Sequence, residues 1–516
     1  MQHRHLLPLL LQLLVLAACT DHEPPTSPMS PAEPGGPALS HTAGHKVVNS
    51  LADPGNGICN ATQCTLREAI KDPGSTEISF APGLTGPITL ARSGLGGGTL
   101  VIEKRLTITG PSAGIVIQRR STGPAFRILR IGSGAIVTLT NLTLRNGKTD
   151  GQGGGIINFG TLALTTCTVA NNSGVGAGGI SNHGRLTLTN SRVANNSGNG
   201  IFNSDDRTLT LSNVAVASNS GFGIFNRGGT LEFTSGAVTG NSLRGIVSGF
   251  GPATITRVRI VGNGGGGISN DNGPLTLTNS TVARNSAGEG GGIFNGRAGN
   301  TTIENSTISN NSATGLGGGI RNTSGDPFGR VGASVSLTNS TVSGNSAGSG
   351  GGIDNTDRRG GVSLAVVNST IAFNSATDGG GGIRQEQGSD NPNGVGLRNT
   401  IVARNSAPTG PDVLADNSAE FGRGVGASFS LIGDGTGSRL TNTAGNQVGN
   451  VPPNSSPIDP RLGSLADNGG PTRTHALLLG SPAIDAASTP ACPTTDQRGV
   501  LRPQGAACDI GSYERK

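Results

Sequence analysis

Leu275-Thr276-Leu277-Thr278-Asn279-Ser280-Thr281-Val282-Ala283-Arg284-Asn285, followed by Gly290-Gly291-Gly292-Ile293-Phe294-Asn295, is a clean copy of a phrase that recurs about ten times. The isoleucine of its glycine part falls at Ile156, Ile180, Ile201, Ile224, Ile246, Ile268, Ile293, Ile320, Ile353 and Ile383, at intervals of 21 to 33 residues. A period of this size, made of short alternating segments, describes a solenoid whose repeats bury apolar side chains only against their neighbours. Leu186/Leu188, Leu209/Leu211 and Leu275/Leu277 alternate with Thr or Ser, the period-two pattern of a strand with one face in a core. Val or Ile before x-x-Asn supplies a second short piece, and Gly-Gly-Ile a third. Glycine and asparagine separate the pieces and tolerate the positive φ of sharp corners. Three strands and three corners per turn predict an all-β chain: a parallel β-helix of triangular section over residues 76–455, with roughly 11 or more rungs.

A second register runs through Asn172, Asn196, Asn219, Asn241, Asn263, Asn285, Asn311, Asn345, Asn374 and Asn405. Rungs stack about 4.8 Å apart, so identical asparagines lie above one another and their amides can bond along the stack. Composition agrees with a thin core of small and β-branched side chains. Glycine is 88 of 516 residues, Trp is absent, Tyr is single and charged residues are 13%. A net charge of +6 is weak over this length and its Lys and Arg are scattered, which argues against nucleic acid as a partner.

Residues 1–18 read as an export signal, because Leu6–Ala18 is apolar but too short for an ordinary membrane span. The sequence Leu16-Ala17-Ala18-Cys19 resembles the bacterial lipobox, which implies cleavage before Cys19, acylation there and a lipid anchor in a membrane outside the cytoplasm. Residues 19–45 are read as the acylated cysteine and a disordered tether, rich in Pro, Ser, Thr and Glu. Export fits the cysteines: Cys59/Cys64 and Cys492/Cys508 are close pairs expected to be disulfides, while Cys167 stands in a rung position held elsewhere by Ser191 and Ser280.

Residues 46–75 are expected to cap the first rung. Thr65 and Glu68 form a capping box, and Leu66, Ala69 and Ile70 give the short helix an apolar face. The stretch Cys64-Thr65-Leu66-Arg67-Glu68-Ala69-Ile70 resembles the CSLREA motif of secreted bacterial β-helix proteins, with Thr65 in place of serine. Residues 456–516 break the period. Asp467-Asn468-Gly469-Gly470-Pro471-Thr472, Ser481-Pro482-Ala483-Ile484-Asp485, Asp496-Gln497-Arg498-Gly499 and Cys508-Asp509-Ile510-Gly511 together resemble the choice-of-anchor Q domain of surface proteins. That segment is expected to close the other end. The repeats also resemble those of polymorphic outer-membrane proteins, which are adhesin-like; this implies passenger architecture alone, and right-handedness is expected by analogy with such solenoids.

The pectate-lyase-like fold raises the question of catalysis, which fold cannot decide. Glycoside hydrolysis needs paired carboxylates at one level, and Asp205-Asp206 reads instead as a solvated turn. Isolated acids such as Glu232, Glu289, Glu304, Asp354 and Asp378 do not converge on a calcium site. No catalytic residue, metal site or cofactor is assigned. His475, Asp485, Asp496, Arg498 and Asp509 are the densest mixed-charge group and the weak candidates for a polar site; ion pairing within a cap is the blander account. The residue after the repeated isoleucine should point outward, which makes Phe202, Phe225 and Val247 a candidate interaction strip on consecutive rungs.

The reading is a monomeric, surface-exposed or periplasm-facing lipoprotein whose β-helix is a non-enzymatic interaction or adhesion scaffold, held by its lipid and meeting glycans or surface proteins. The alternatives are a polysaccharide-active lyase or glycoside hydrolase, and an inert spacer or ice-binding solenoid.

Overall fold

The computed structural model describes residues 44–53, 55–91, 98–324, 332–357, 361–387, 394–415 and 424–516. The export signal, Cys19 and nearly all of the tether lie outside them. The described chain winds into a parallel β-solenoid of about 12 turns. Most turns carry three short strands, for example Arg185–Thr189, Arg192–Ala194 and Ser197–Asn203, and in some the first two run on as one, as in Thr208–Ala217. They stack into a row of Leu-x-Leu strands, a row of Val strands and a row of Ile strands.

The register is the one the repeat predicts. In the Ile row Ile156, Ile180, Ile201, Ile224, Ile246 and Ile268 pair in succession, and Ile293, Ile320, Ile353 and Ile383 continue to Val413. All these side chains are buried in one continuous core. Asparagines hold the sharp corner between the Leu and Val rows: Asn190, Asn279, Asn305, Asn339, Asn368 and Asn399 all have φ between 43° and 52°. The glycine three places before the isoleucine has the positive φ expected of it, 58° to 69° at Gly290, Gly317, Gly350 and Gly380, whereas the glycine directly before each isoleucine answers a different need. At Gly179, Gly292, Gly319 and Gly352 a Cβ would stand 2.2 to 2.5 Å from a carbonyl of the next rung, so close stacking of backbone excludes any side chain.

Helix Leu66–Lys71 is present with both capping-box bonds, and it adds Leu66, Ala69 and Ile70 to the core beside the first rungs. A bidentate pair between Arg67 and Asp53, at 2.6 and 2.9 Å, fixes it where both side chains are nearly inaccessible.

Residues 456–516 lie elsewhere than across the open end. They run back along the outer side of the Val row. Thr307 donates to Arg473 O at 2.6 Å, Thr341 to Gln497 Oε1 at 2.6 Å, and Asn339 Nδ2 to Thr495 O at 2.7 Å. The reason is visible in the strands beneath. Outward positions that carry Thr281, Thr307 and Thr341 become Ile401 and Leu431 in later rungs, and these pack with Leu477, Ala483 and Ile510 in a second small core. The end of the main core is covered instead by the stretch around Leu440, Val448 and Val451.

Candidate functional site

The asparagine register is a continuous hydrogen-bonded ladder. From Asn172 to Asn405 each side-chain Nδ2 donates to Oδ1 of the next asparagine at 2.9 to 3.1 Å, and each backbone N–H donates to that same oxygen. A second ladder was not anticipated. Asn158, Asn182, Asn203 and Asn226 form one run, and Asn270, Asn295, Asn322 and Asn355 another, bonded at 2.7 to 3.0 Å. Its signal was the Asn two places after each repeated isoleucine. Serines make a third, donating and accepting at Ser280, Ser306, Ser340 and Ser369. Cys167 occupies that row as a buried free thiol; its N–H donates to Ser191 Oγ at 3.0 Å, and burial raises the thiol pKa.

The mixed-charge candidates of the terminal segment are brought together, except His475. Asp496 accepts from the N–H groups of Arg498, Val500 and Glu514 and pairs with the Arg498 guanidinium at 2.7 Å. That guanidinium lies 3.5 Å from the centre of the Tyr513 ring. Asp509 accepts from the N–H groups of Asp485 and Arg515, and Asp485 in turn accepts from Ala507. Arg502 and Glu514, both fully buried, pair at 2.8 Å. Burial pushes Asp509 up to about 6 and lowers Arg502. His475 sits between Ser343 Oγ, 2.8 Å from Nε2, and Gly463 O, 2.7 Å from Nδ1, with Phe373 against its ring. Burial lowers its pKa. Every one of these groups is consumed in holding the segment to itself or to the solenoid. Cys492 and Cys508 are disulfide-bonded within it, as are Cys59 and Cys64 at the other end.

The strip expected to be exposed needs correction. Phe202, Phe225 and Val247 do pair on consecutive rungs. However, Phe202 is 7% accessible, and Phe225 and Val247 are half-buried. Rings on successive rungs cover one another at this spacing. The series is longer than three: Phe159 stacks on His183 with centroids 5.2 Å apart, His183 meets Phe202 at 5.9 Å, and Phe202 meets Phe225 at 5.6 Å. Arg130 lies over Phe159 at 5.6 Å. His183 Nε2 is also 2.9 Å from Ser181 Oγ, and burial together with Arg207 lowers its pKa.

Farther along the same outward row, Asp354 is fully buried between Arg321 and Arg384, with Arg384 Nη1 at 3.2 Å and Thr356 donating at 2.7 Å. Glu289 and Glu386 complete this network beside a depression of about 430 Å³. Glu289 and Asp354 are isolated acids in the sequence and meet these arginines only because the coil places rungs about 30 residues apart side by side. Among the described residues no cluster of His, Cys, Asp and Glu is arranged to hold a metal ion.

Residues 180–371 match the family model of the right-handed β-helix region. The chain folds as a parallel β-helix. No curated protein matches it significantly. Among solved structures, this β-helix is similar to the pectate lyase Pel9A, at 13% identity over 92% of this chain and 96% of that one, with a TM-score of 0.31. It is also similar to the A-modules of two Azotobacter vinelandii mannuronan C-5 epimerases. AlgE4 matches at 14% identity over 74% of this chain and 93% of that one, with a TM-score of 0.39. AlgE6 matches at 13% over 64% and 91%, with a TM-score of 0.34. No substrate or reaction follows for this β-helix from likenesses so distant.

Proposed function

We propose that this protein is an exported surface lipoprotein, anchored through Cys19, whose β-helix binds an extended glycan or surface protein without turning it over. The observation that carries the reading is the ring series Phe159–His183–Phe202–Phe225, continued by Val247. It runs along the solenoid axis at one ring per rung, with Arg130 at its head. A track parallel to the axis suits a linear ligand, whose repeating units meet successive rungs. Phe159 and Phe225 leave ring surface open to it, and apolar ring faces favour the C–H faces of sugars or apolar side chains. The CSLREA-like stretch at Cys64–Ile70 and the resemblance of residues 456–516 to the choice-of-anchor Q domain support a place at the cell surface.

The test is a glycan and surface-protein binding screen of the purified protein, run beside an assay for new chain ends on the same polysaccharides. Binding that weakens in Phe159→Ala and Phe225→Ala without product release is the expected result. Product release would replace this reading with that of a polysaccharide-active enzyme. Neither binding nor turnover would leave the spacer reading.

A further inference from the structure

We propose that the cleft between the Val row and the loop Asp467–Arg473 is a second binding site, one that takes carboxylate groups of an acidic polysaccharide. The cleft encloses about 570 Å³, room for more than a single small anion. Four arginines line it: Arg257, Arg259 and Arg284 from consecutive turns of the solenoid, and Arg473 from the terminal segment. Among the described residues Asp467 is the one acidic group lining it. None of the four guanidinium groups has an ion-pair partner among the described residues, whereas those of Arg321, Arg384, Arg498 and Arg502 are all paired. The guanidinium fork is the side chain best matched to a planar carboxylate.

Two of these arginines stand where the fold favours another residue. Arg257, with φ 56°, occupies the corner held by Asn279 one rung on, and Arg284, with φ 53°, the corner held by Asn310. Placing arginine at left-handed corners costs backbone energy that asparagine largely avoids. Arg259 likewise pairs with Thr281 and stands where the following rungs carry threonine. The fourth wall is rigid. Thr307 donates to Arg473 O at 2.6 Å and Thr472 to Asn305 O at 2.9 Å, so the loop is pinned to the rung before any ligand arrives. Val261, Ala283 and Leu465 add apolar surface, which suits the C–H faces of sugar rings. Among the described residues no aromatic side chain lines the cleft for a nucleic-acid base to stack on, which disfavours that other polyanion.

The exchanges that test this are supplied by the repeat. Arg257→Asn, Arg259→Thr and Arg284→Asn install the residue that neighbouring rungs already carry, so the combined variant should keep the wild-type fold and melting temperature. The probe is a defined oligogalacturonide titrated calorimetrically into the full-length protein at low and at 0.5 M salt. Wild-type protein should bind it, more weakly at high salt, and the triple variant should lose at least tenfold in affinity. Arg120→Ala, on an exposed position several rungs away, should bind as wild type does. Failure of the wild type to bind overturns the proposal. So does equal binding by the triple variant, or an equal loss in Arg120→Ala, which would mean diffuse attraction to a basic surface.

Discussion

Asn405 donates both its backbone N–H and its side-chain amide to one oxygen of Asp412, at 3.0 and 2.8 Å. Asp412 therefore stands where the ladder would place its next asparagine. Its other oxygen accepts from the N–H of Asp434 at 2.6 Å. An asparagine could satisfy only one side of this arrangement, because its own NH₂ would face the Asp434 donor. A carboxylate, which only accepts, ends a chain of donors with none left over.

That ending has a pH signature. Burial pushes Asp412 up to about 6, against the hydrogen bonds that lower it, with Asp434 adding a small like-charge effect. The folded chain therefore holds this proton more tightly than the unfolded chain. Its contribution to stability is full below about pH 4 and is lost as pH rises through about 6, on the order of 3 kcal/mol in all. Asp412→Asn lacks this slope and loses the Asp434 bond, which costs about 1–3 kcal/mol. In urea unfolding, the variant should fall furthest below wild type near pH 4, and the gap should shrink by pH 7.5. A gap that is constant or widens with pH would sink the account.

Asn263 is in mid-ladder, accepting from Asn241 and donating to Asn285 Oδ1 and Val238 O. Asn263→Ala strands buried donors and acceptors on both neighbouring rungs, and should cost about 3 kcal/mol or more. Arg192→Ala, at an exposed strand position, makes the control, expected to cost under about 0.5 kcal/mol. Equal midpoint shifts in denaturant would show that the ladder bonds contribute nothing to stability.

The terminal segment should behave as a clamp on the flank. Gln497 alone reaches Ser306, Thr307, Thr341, Thr472 and Arg473. Removing residues 456–516 uncovers Ile401 and Leu431, so the truncated protein should self-associate in size-exclusion chromatography. His475→Ala should lower stability by about 1–3 kcal/mol through Ser343 and Gly463. The sign of its pH effect is opposite to that of Asp412. Its depressed pKa makes the native histidine neutral, so its contribution is present above about pH 6.5 and lost on acidification. A monomeric truncation, or an unchanged His475→Ala, would remove the clamp from the account.

For the proposed anchor, Cys19→Ala should move the protein from the detergent phase to the aqueous phase in a phase-partition assay. Unchanged partitioning would end the lipoprotein reading.

The sequence by itself determined the coil. The same phrase recurring every 21 to 33 residues stacks on its own kind, so Ile180, Ile201 and Ile224 and the asparagines from Asn172 to Asn405 announced both register and ladder. The capping box at Thr65 and Glu68 was equally legible, because its bonds are local. What tertiary structure decided involves residues far apart in the chain or free of the period. Ile401 and Leu431 replace threonine at outward positions, and only the fold shows that Leu477 and Ile510 return to cover them. His475 meets Ser343 across 132 residues, a contact no spacing encodes. Phe202 is covered although it points outward, because alternation assigns a direction to a side chain and says nothing of the rings on either side. Arg259, Arg284 and Arg473 share one cleft for the same reason: the solenoid fixes two of them a rung apart, and a non-repeating segment brings the third.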